Sequence, residues 1–189
     1  MKVEFIPATH SYFVDDVLVP SVTQILRPLM AHMPDCPEAM GRGTRAHAAL
    51  HLYDEDKLDM STVDADIQPF VNAYMAFKAD SGVVIAASEK IVTSRIGYAG
   101  TLDRIVFLNG HMAVLDIKCG EQLPSWVGLQ LAGYQIAASE CGVPTSKRFG
   151  LLLRPNGEYK LREFNDALDH DRFLAMLQTE CCGKGCACQ

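Results

Sequence analysis

Between Gly100 and Lys118 the chain reads Gly-Thr-Leu-Asp-Arg-Ile-Val-Phe-Leu-Asn-Gly-His-Met-Ala-Val-Leu-Asp-Ile-Lys. Two apolar runs are joined by Asn109-Gly110, and Asn-Gly between β-prone runs is a strong hairpin signal. The runs are expected to pair antiparallel and to bring Asp103 and Asp116, thirteen positions apart, side by side. Asp116 and Lys118 are two apart on one strand, so they share a face, while Ile117 turns to the other face and into the core. A fold that contains this hairpin presents two acids and a lysine at one sheet edge.

The surrounding pattern sets the fold class. His10 to Val19 reads as a hairpin turning at Asp15-Asp16. Ser21 is the expected N-cap of a helix with Val22, Ile25, Leu26 and Leu29 as its apolar stripe, and Pro28 ends or kinks it. Residues 31–37 read as a loop. Helices are expected over about Glu38–Tyr53 and Asp64–Ala79, the second with Phe70, Tyr74 and Phe77 inside and Ser81-Gly82 as its stop. Strand-like runs follow at Val83–Thr93, Tyr98–Leu108 and Met112–Lys118. A helix over Pro124–Cys141 stops at Gly142. Two further strands, Arg148–Arg154 and Tyr159–Phe164, flank Asn156-Gly157, and a last helix covers Ala167–Thr179. This order predicts an α/β fold, a central mixed sheet flanked by helices, with residues 1–180 as one domain and 181–189 as a Cys-rich tail.

Apolar residues are 49% and charged residues 21% of 189, enough for an ordinary globular core. No apolar run reaches the roughly 18–20 residues that span a bilayer, and the first residues lack the apolar stretch of a signal peptide; the expected location is cytoplasmic, without membrane attachment. The formal net charge of −6 excludes a general basic coat for nucleic acid. It does not exclude an enzyme acting on phosphates, because a metal site concentrates acids that its cation offsets. Any nucleic-acid track is then a local patch, with Arg42, Arg45, Arg95, Arg104, Lys147 and Arg148 as its candidates.

The chemistry-bearing residues fall around the hairpin. Asp103 and Asp116 suit a hard divalent cation, since magnesium takes one or two protein carboxylates and leaves room for water and phosphate. Lys118 beside them can position or help deprotonate an attacking water and offset charge growing on a phosphate. Glu89, on the preceding strand, reads either as a third carboxylate at the same edge or as a solvated strand residue. Gln130 and Tyr134, one helical turn apart, share a face and can bond phosphate or Lys118. His47 lies one turn after Gly43, whose lack of a side chain would admit another backbone. It can ligate a metal through neutral imidazole; His51 is the weaker choice. His-Ala-Ala-Leu-His lacks the glutamate of the zinc-protease pattern.

Four motifs in this order, Gly43-Thr-Arg-Ala-His47, Gly100-Thr-Leu-Asp103, Asp116-Ile-Lys118 and Gln130-Leu-Ala-Gly-Tyr134, together with the preceding His10-Ser-Tyr12 and Ser21-Val-Thr-Gln-Ile-Leu26, resemble the PD-(D/E)XK nuclease superfamily in its RecB-like and phage-exonuclease branch. The resemblance spans about residues 10–165. It implies an αβββαβ core and a Mg²⁺- or Mn²⁺-dependent deoxyribonuclease acting on DNA ends in phage or prophage recombination, repair or replication. Carried over residue by residue, His47, Asp103, Asp116 and the Ile117 carbonyl are the metal ligands. Lys118 is the catalytic lysine, and Gln130 and Tyr134 support it and contact DNA. Glu89 is an upstream acid. Arg42, Arg45 and Arg104 complete the DNA-facing set. Relatives of this kind work beside single-strand annealing proteins and form homo-oligomeric rings. The alternatives are a non-catalytic DNA-binding or assembly subunit, a hydrolase of another phosphoester, and a RecB-like iron–sulfur nuclease of the CRISPR-adaptation type.

Seven cysteines, four of them in the last nine residues, argue against a disulfide framework. The tail reads as loose and thiol-rich. The resemblance also offers a [4Fe–4S] cluster on Cys36, Cys182 (or Cys181), Cys186 and Cys188, or a zinc site on the same residues. The run Cys-Cys-x-x-x-Cys-x-Cys departs from the family's spacing.

Overall fold

The computed structural model describes residues 2–31 and 36–183, with side chains to residue 180. The chain opens with β1 (Val3–Ile6), β2 (Ser11–Val14) and β3 (Val17–Val19), an antiparallel three-stranded sheet in the order β1-β2-β3. The hairpin at Asp15-Asp16 is present, both turn residues at positive φ. The short β1, which ends before Pro7, adds a strand that the sequence pattern does not announce. Two short helices follow, α1 (Val22–Ile25) and α2 (Arg27–Met30). Ser21 caps α1 in a reciprocal box: its Oγ accepts from the Gln24 amide, and the Gln24 side chain accepts from the Ser21 amide. Pro28, with no N–H to give, sits in the first turn of the restarted helix.

Helices α3 (Pro37–Asp54) and α4 (Gln68–Ser81), with a 3-10 turn at Met60–Thr62 between them, lead into β4 (Val84–Ser94), β5 (Tyr98–Leu108) and β6 (His111–Cys119). Then come α5 (Val127–Glu140), β7 (Lys147–Leu153), β8 (Tyr159–Glu163) and α6 (Leu168–Gly183). The last helix includes Cys181 and Cys182, where an irregular tail was expected; Cys186 and Cys188 lie outside the described residues. No helix is long and apolar enough to cross a membrane among the described residues.

The second sheet has the order β4-β5-β6-β7-β8, antiparallel throughout except for the parallel β6–β7 pair that α5 connects. Asn109 and Gly110 both adopt positive φ, which makes a tight turn whose twist matches the strands it joins. The register that follows pairs Leu108 with His111 and reaches Arg104 with Leu115. Alternation then sorts the two faces. Ala113, Leu115 and Ile117 pack with Ala46, Leu50, Phe70 and Tyr74 of α3 and α4. Val114 and Ile105 pack with Val22, Leu131, Tyr134 and Phe173 of α1, α5 and α6. The small sheet docks on β5: Tyr12, 1% exposed, bonds Thr101 through its hydroxyl at 2.8 Å, Tyr12 and Val19 pack on Ala99, and Ala99 donates to the Pro20 carbonyl just beyond β3.

Candidate active site

The β5–β6 ladder ends where the first acid begins. Continuing the register beyond Arg104 and Leu115 sets Asp103 opposite Asp116. There the Asp103 carboxylate replaces a main-chain partner, Oδ2 accepting from the Ile117 amide at 2.6 Å. Its Oδ1 faces Nδ1 of His47 at 3.5 Å. The other ring nitrogen of His47, Nε2, lies 3.1 Å from the Ile117 carbonyl oxygen. His47 therefore spans two of the hairpin's groups that can ligate a cation, the Asp103 carboxylate and the Ile117 carbonyl. Glu89 sits in β4 between the pairs Ser88–Arg104 and Lys90–Leu102, which places it beside Asp103. One ligand atom each from His47, Glu89 and Asp103 lie within 4.8 Å of one another.

Asp116 is 1% exposed. Its Oδ1 accepts from Lys118 Nζ at 2.9 Å. Oδ2 lies 2.7 Å from the same ammonium but makes no directed hydrogen bond. Burial pushes the Asp116 carboxyl up to about 6, against the opposing pull of Lys118. Burial alone would lower the Lys118 ammonium; the Asp116 and Asp103 carboxylates outweigh it and hold it above its ordinary value. Lys118 is thus protonated at neutral pH, which suits it to donate rather than to take a proton. The Trp126 ring, its centroid 5.4 Å from Nζ, borders the ammonium on another side. Glu89 is also raised, first by burial and then by the charge of Asp103.

These residues open onto a cleft of about 790 Å³ that also takes in His10, Thr44, Thr101, Gln130 and Tyr134. Gln130 and Tyr134 are 6% and 5% exposed, so they form the cleft floor and not a surface grip. Gln130 Oε1 has no hydrogen-bond partner. Burial drives the Tyr134 phenol far above its ordinary value. The Tyr134 ring packs against Gly100, where a Cβ would come within 2.8 Å of Cε1; that contact explains the glycine at the head of the Gly-Thr-Leu-Asp run.

A divalent cation fits this donor set. It needs several hard oxygens with at most a few nitrogens, and the site offers the carboxylates of Glu89, Asp103 and Asp116, the Ile117 carbonyl and one imidazole. The observation that favours it is the convergence of three carboxylates, with Glu89 and Asp116 both raised by burial and by the neighbouring charge of Asp103, an arrangement that a bound cation relieves.

Several expectations are corrected. Arg104 is fully buried, ion-paired with Asp54 at 2.7 Å and Glu89 at 3.1 Å, and cannot reach DNA. Arg148 is 4% exposed and bonds Asp169 and the carbonyls of Gly128 and Asp166. Arg45 stays at the surface but is engaged by Asp64 and Asp66, and Lys147 pairs with Glu163. Arg42 is half-buried on α3, its charge close enough to act on the Cys119 thiol. Among the described residues, nothing beyond its chain neighbours and its own helix backbone comes within 4 Å of a Cβ built on Gly43, so close approach of another backbone is not the reason for that glycine. His51 bonds Ser88 Oγ at 2.7 Å and faces Glu55 at 3.6 Å, at the rim. Cys36 is exposed and free; the cluster and zinc expectations turn on residues outside those described. Sequence reasoning passed over Asp54 and its link to Arg104, which no local pattern signals.

No protein-family model matches the sequence, and no curated protein does. Among solved structures, a putative exonuclease from Eubacterium rectale superposes with a TM-score of 0.55 at 12% identity, covering 89% of this chain and 76% of that one. An alkaline exonuclease from Laribacter hongkongensis aligns over 86% of this chain and 79% of its own at 14% identity, with a TM-score of 0.40, too loose to carry weight. The central five-stranded mixed sheet flanked by helices is a fold shared with the Eubacterium rectale structure. This chain combines that fold with a His/Glu/Asp cluster able to hold a metal ion.

Proposed function

We propose that this protein is a Mg²⁺- or Mn²⁺-dependent deoxyribonuclease that hydrolyses phosphodiester bonds at DNA ends. The observation that carries the reading is the convergence of His47, Glu89 and Asp103 within 4.8 Å beside the Asp116–Lys118 pair. His47, Glu89, Asp103, Asp116 and the Ile117 carbonyl would hold the cation, which when bound supplies Lewis-acid activation of water and neutralises phosphate charge. Lys118, held charged between Asp116 and the Trp126 ring, donates to the phosphate as negative charge builds on its oxygens. Asp103 locks the strand ends by its bond to the Ile117 amide, which fixes the carbonyl of the same residue toward His47. Gln130 and Tyr134 shape the floor against which the substrate rests. Loss of the 3′-oxygen would leave a 5′-phosphate on the product. The exonuclease-type fold of the Eubacterium rectale structure supports action on ends, and a place in phage or prophage recombination, repair or replication belongs to the same proposal.

Alanine at Asp103, Asp116 or Lys118 should abolish cleavage of labelled DNA in Mg²⁺ and in Mn²⁺ while circular dichroism shows the fold intact. Full activity in any one of the three, at saturating metal, would refute the assignment.

A further inference from the structure

Arg104 is the largest fully buried side chain of the protein among the described residues, and it follows Asp103 directly. Alternation turns it to the opposite face of the sheet from Asp103, toward α3 and α4. There its Nε donates to Asp54 Oδ2 at 2.7 Å. Its Nη1 donates to Glu89 Oε1 at 3.1 Å and to the main-chain oxygen of Asp103 at 2.6 Å. Asp54 is the last residue of α3, the helix that carries His47. It is fixed from behind by the Tyr74 hydroxyl at 2.8 Å and by Lys78 at 2.7 Å.

Glu89 carries a second sign of constraint. Its φ of 50° lies in the left-handed region in the middle of a strand, a conformation a non-glycine residue keeps only when its surroundings hold it there. The group touching its carboxylate from within is Arg104. A guanidinium can do this and an ammonium cannot. Its planar fork sends fixed donors in two directions at once, one to the helix and one to the strand pair.

We propose that Arg104 is a positioning residue of the metal site: it ties Glu89 and the Asp103 backbone to the end of α3, so that Glu89, Asp103 and His47 present their ligand atoms together. The inference rests on the proposed function in one respect, that the cluster takes a divalent cation. A merely structural Arg104 would serve the packing of α3 on β5 through Asp54, and its loss would not be felt through Glu89.

The test is Mn²⁺ affinity, measured by titration calorimetry and by the electron paramagnetic resonance signal of free Mn²⁺. The proteins are wild type, Arg104→Lys, Glu89→Gln and the double variant. Groups that orient metal ligands change metal affinity by roughly 10–100-fold when altered, and Arg104→Lys is expected to weaken Mn²⁺ binding by that order while remaining folded. In the Glu89→Gln background the same change should cause a clearly smaller loss, because the ion pair through which much of it acts is gone. An equal loss in both backgrounds, or wild-type affinity in Arg104→Lys, overturns the inference. If Arg104→Lys fails to fold, Asp54→Asn replaces it, since it loosens the anchor of the guanidinium, with the same two outcomes. A wild-type protein that binds no Mn²⁺ overturns the functional reading and this inference with it; binding with additive losses overturns this inference alone.

Discussion

Asp116 makes the metal-free protein pay attention to pH in an unusual direction. Its carboxyl moves from an ordinary 3.8 up to about 6, chiefly because burial disfavours the charged form. A folded-state value above the unfolded one means that the native protein keeps a proton the unfolded chain has released. The corresponding stability is complete below about pH 4 and is lost as pH rises through about 6. At ~1.4 kcal/mol for each tenfold change in protonation ratio, the interval corresponds to roughly 3 kcal/mol. Asparagine at 116 cannot titrate. Urea unfolding in EDTA, at intervals from about pH 4 to about pH 7, should therefore show wild type losing roughly 2–3 kcal/mol relative to Asp116→Asn. Glu89 is shifted in the same direction, but it is present in both proteins and cancels in the difference. Mg²⁺ or Mn²⁺ at neutral pH should stabilise wild type more than the variant, because the cation binds the ionised carboxylate. A pH-independent difference, or one that moves in favour of wild type as pH rises, refutes the reasoning.

Two packing predictions test how α5 and α6 hold the back of the sheet. A Cβ on Gly133 would come within 2.6 Å of the buried Phe173 ring, so Gly133→Ala should destabilise by about 1–3 kcal/mol. Phe173→Leu in that background should restore part of the loss in thermal unfolding; an alanine variant as stable as wild type contradicts the contact. Arg148 and Asp169 form a buried pair at 3.1 Å, and Arg148→Met strands the acid at a cost of roughly 3–5 kcal/mol. Adding Asp169→Leu should recover much of it, and a double variant no more stable than the single one would show that the pair is not the cause.

The hairpin that dominates the site was open to sequence reasoning because its determinants are local. Asn109-Gly110 fixes the turn, the turn fixes the register, and the register sets Asp103 against Asp116. Ser21 announced its helix start for the same reason, a cap within four residues that the Gln24 side chain reciprocates in the structure. Helix and strand order followed from periodicity, and with it the mixed sheet. What escaped is tertiary. Ser-Glu-Lys in β4 reads as ordinary alternation, and nothing in it signals the left-handed backbone at Glu89. Arg104 next to Asp103 looked like a DNA-facing cation, yet strand alternation already turns it to the other face. The distant Asp54, brought in by the end of α3, joins Glu89 in making its burial tolerable. Arg148 was misread in the same way, its partners lying around α5 and α6.

The most direct test of the central claim is digestion of linear duplex and covalently closed circular DNA, each with Mg²⁺, Mn²⁺ or EDTA, by wild type and Asp116→Ala. A metal-dependent nuclease of DNA ends degrades the linear DNA alone, only with the cation, and not in the variant. Cutting of both substrates would assign internal cleavage instead. A folded wild-type protein that binds DNA and cuts neither substrate in either metal would contradict the account.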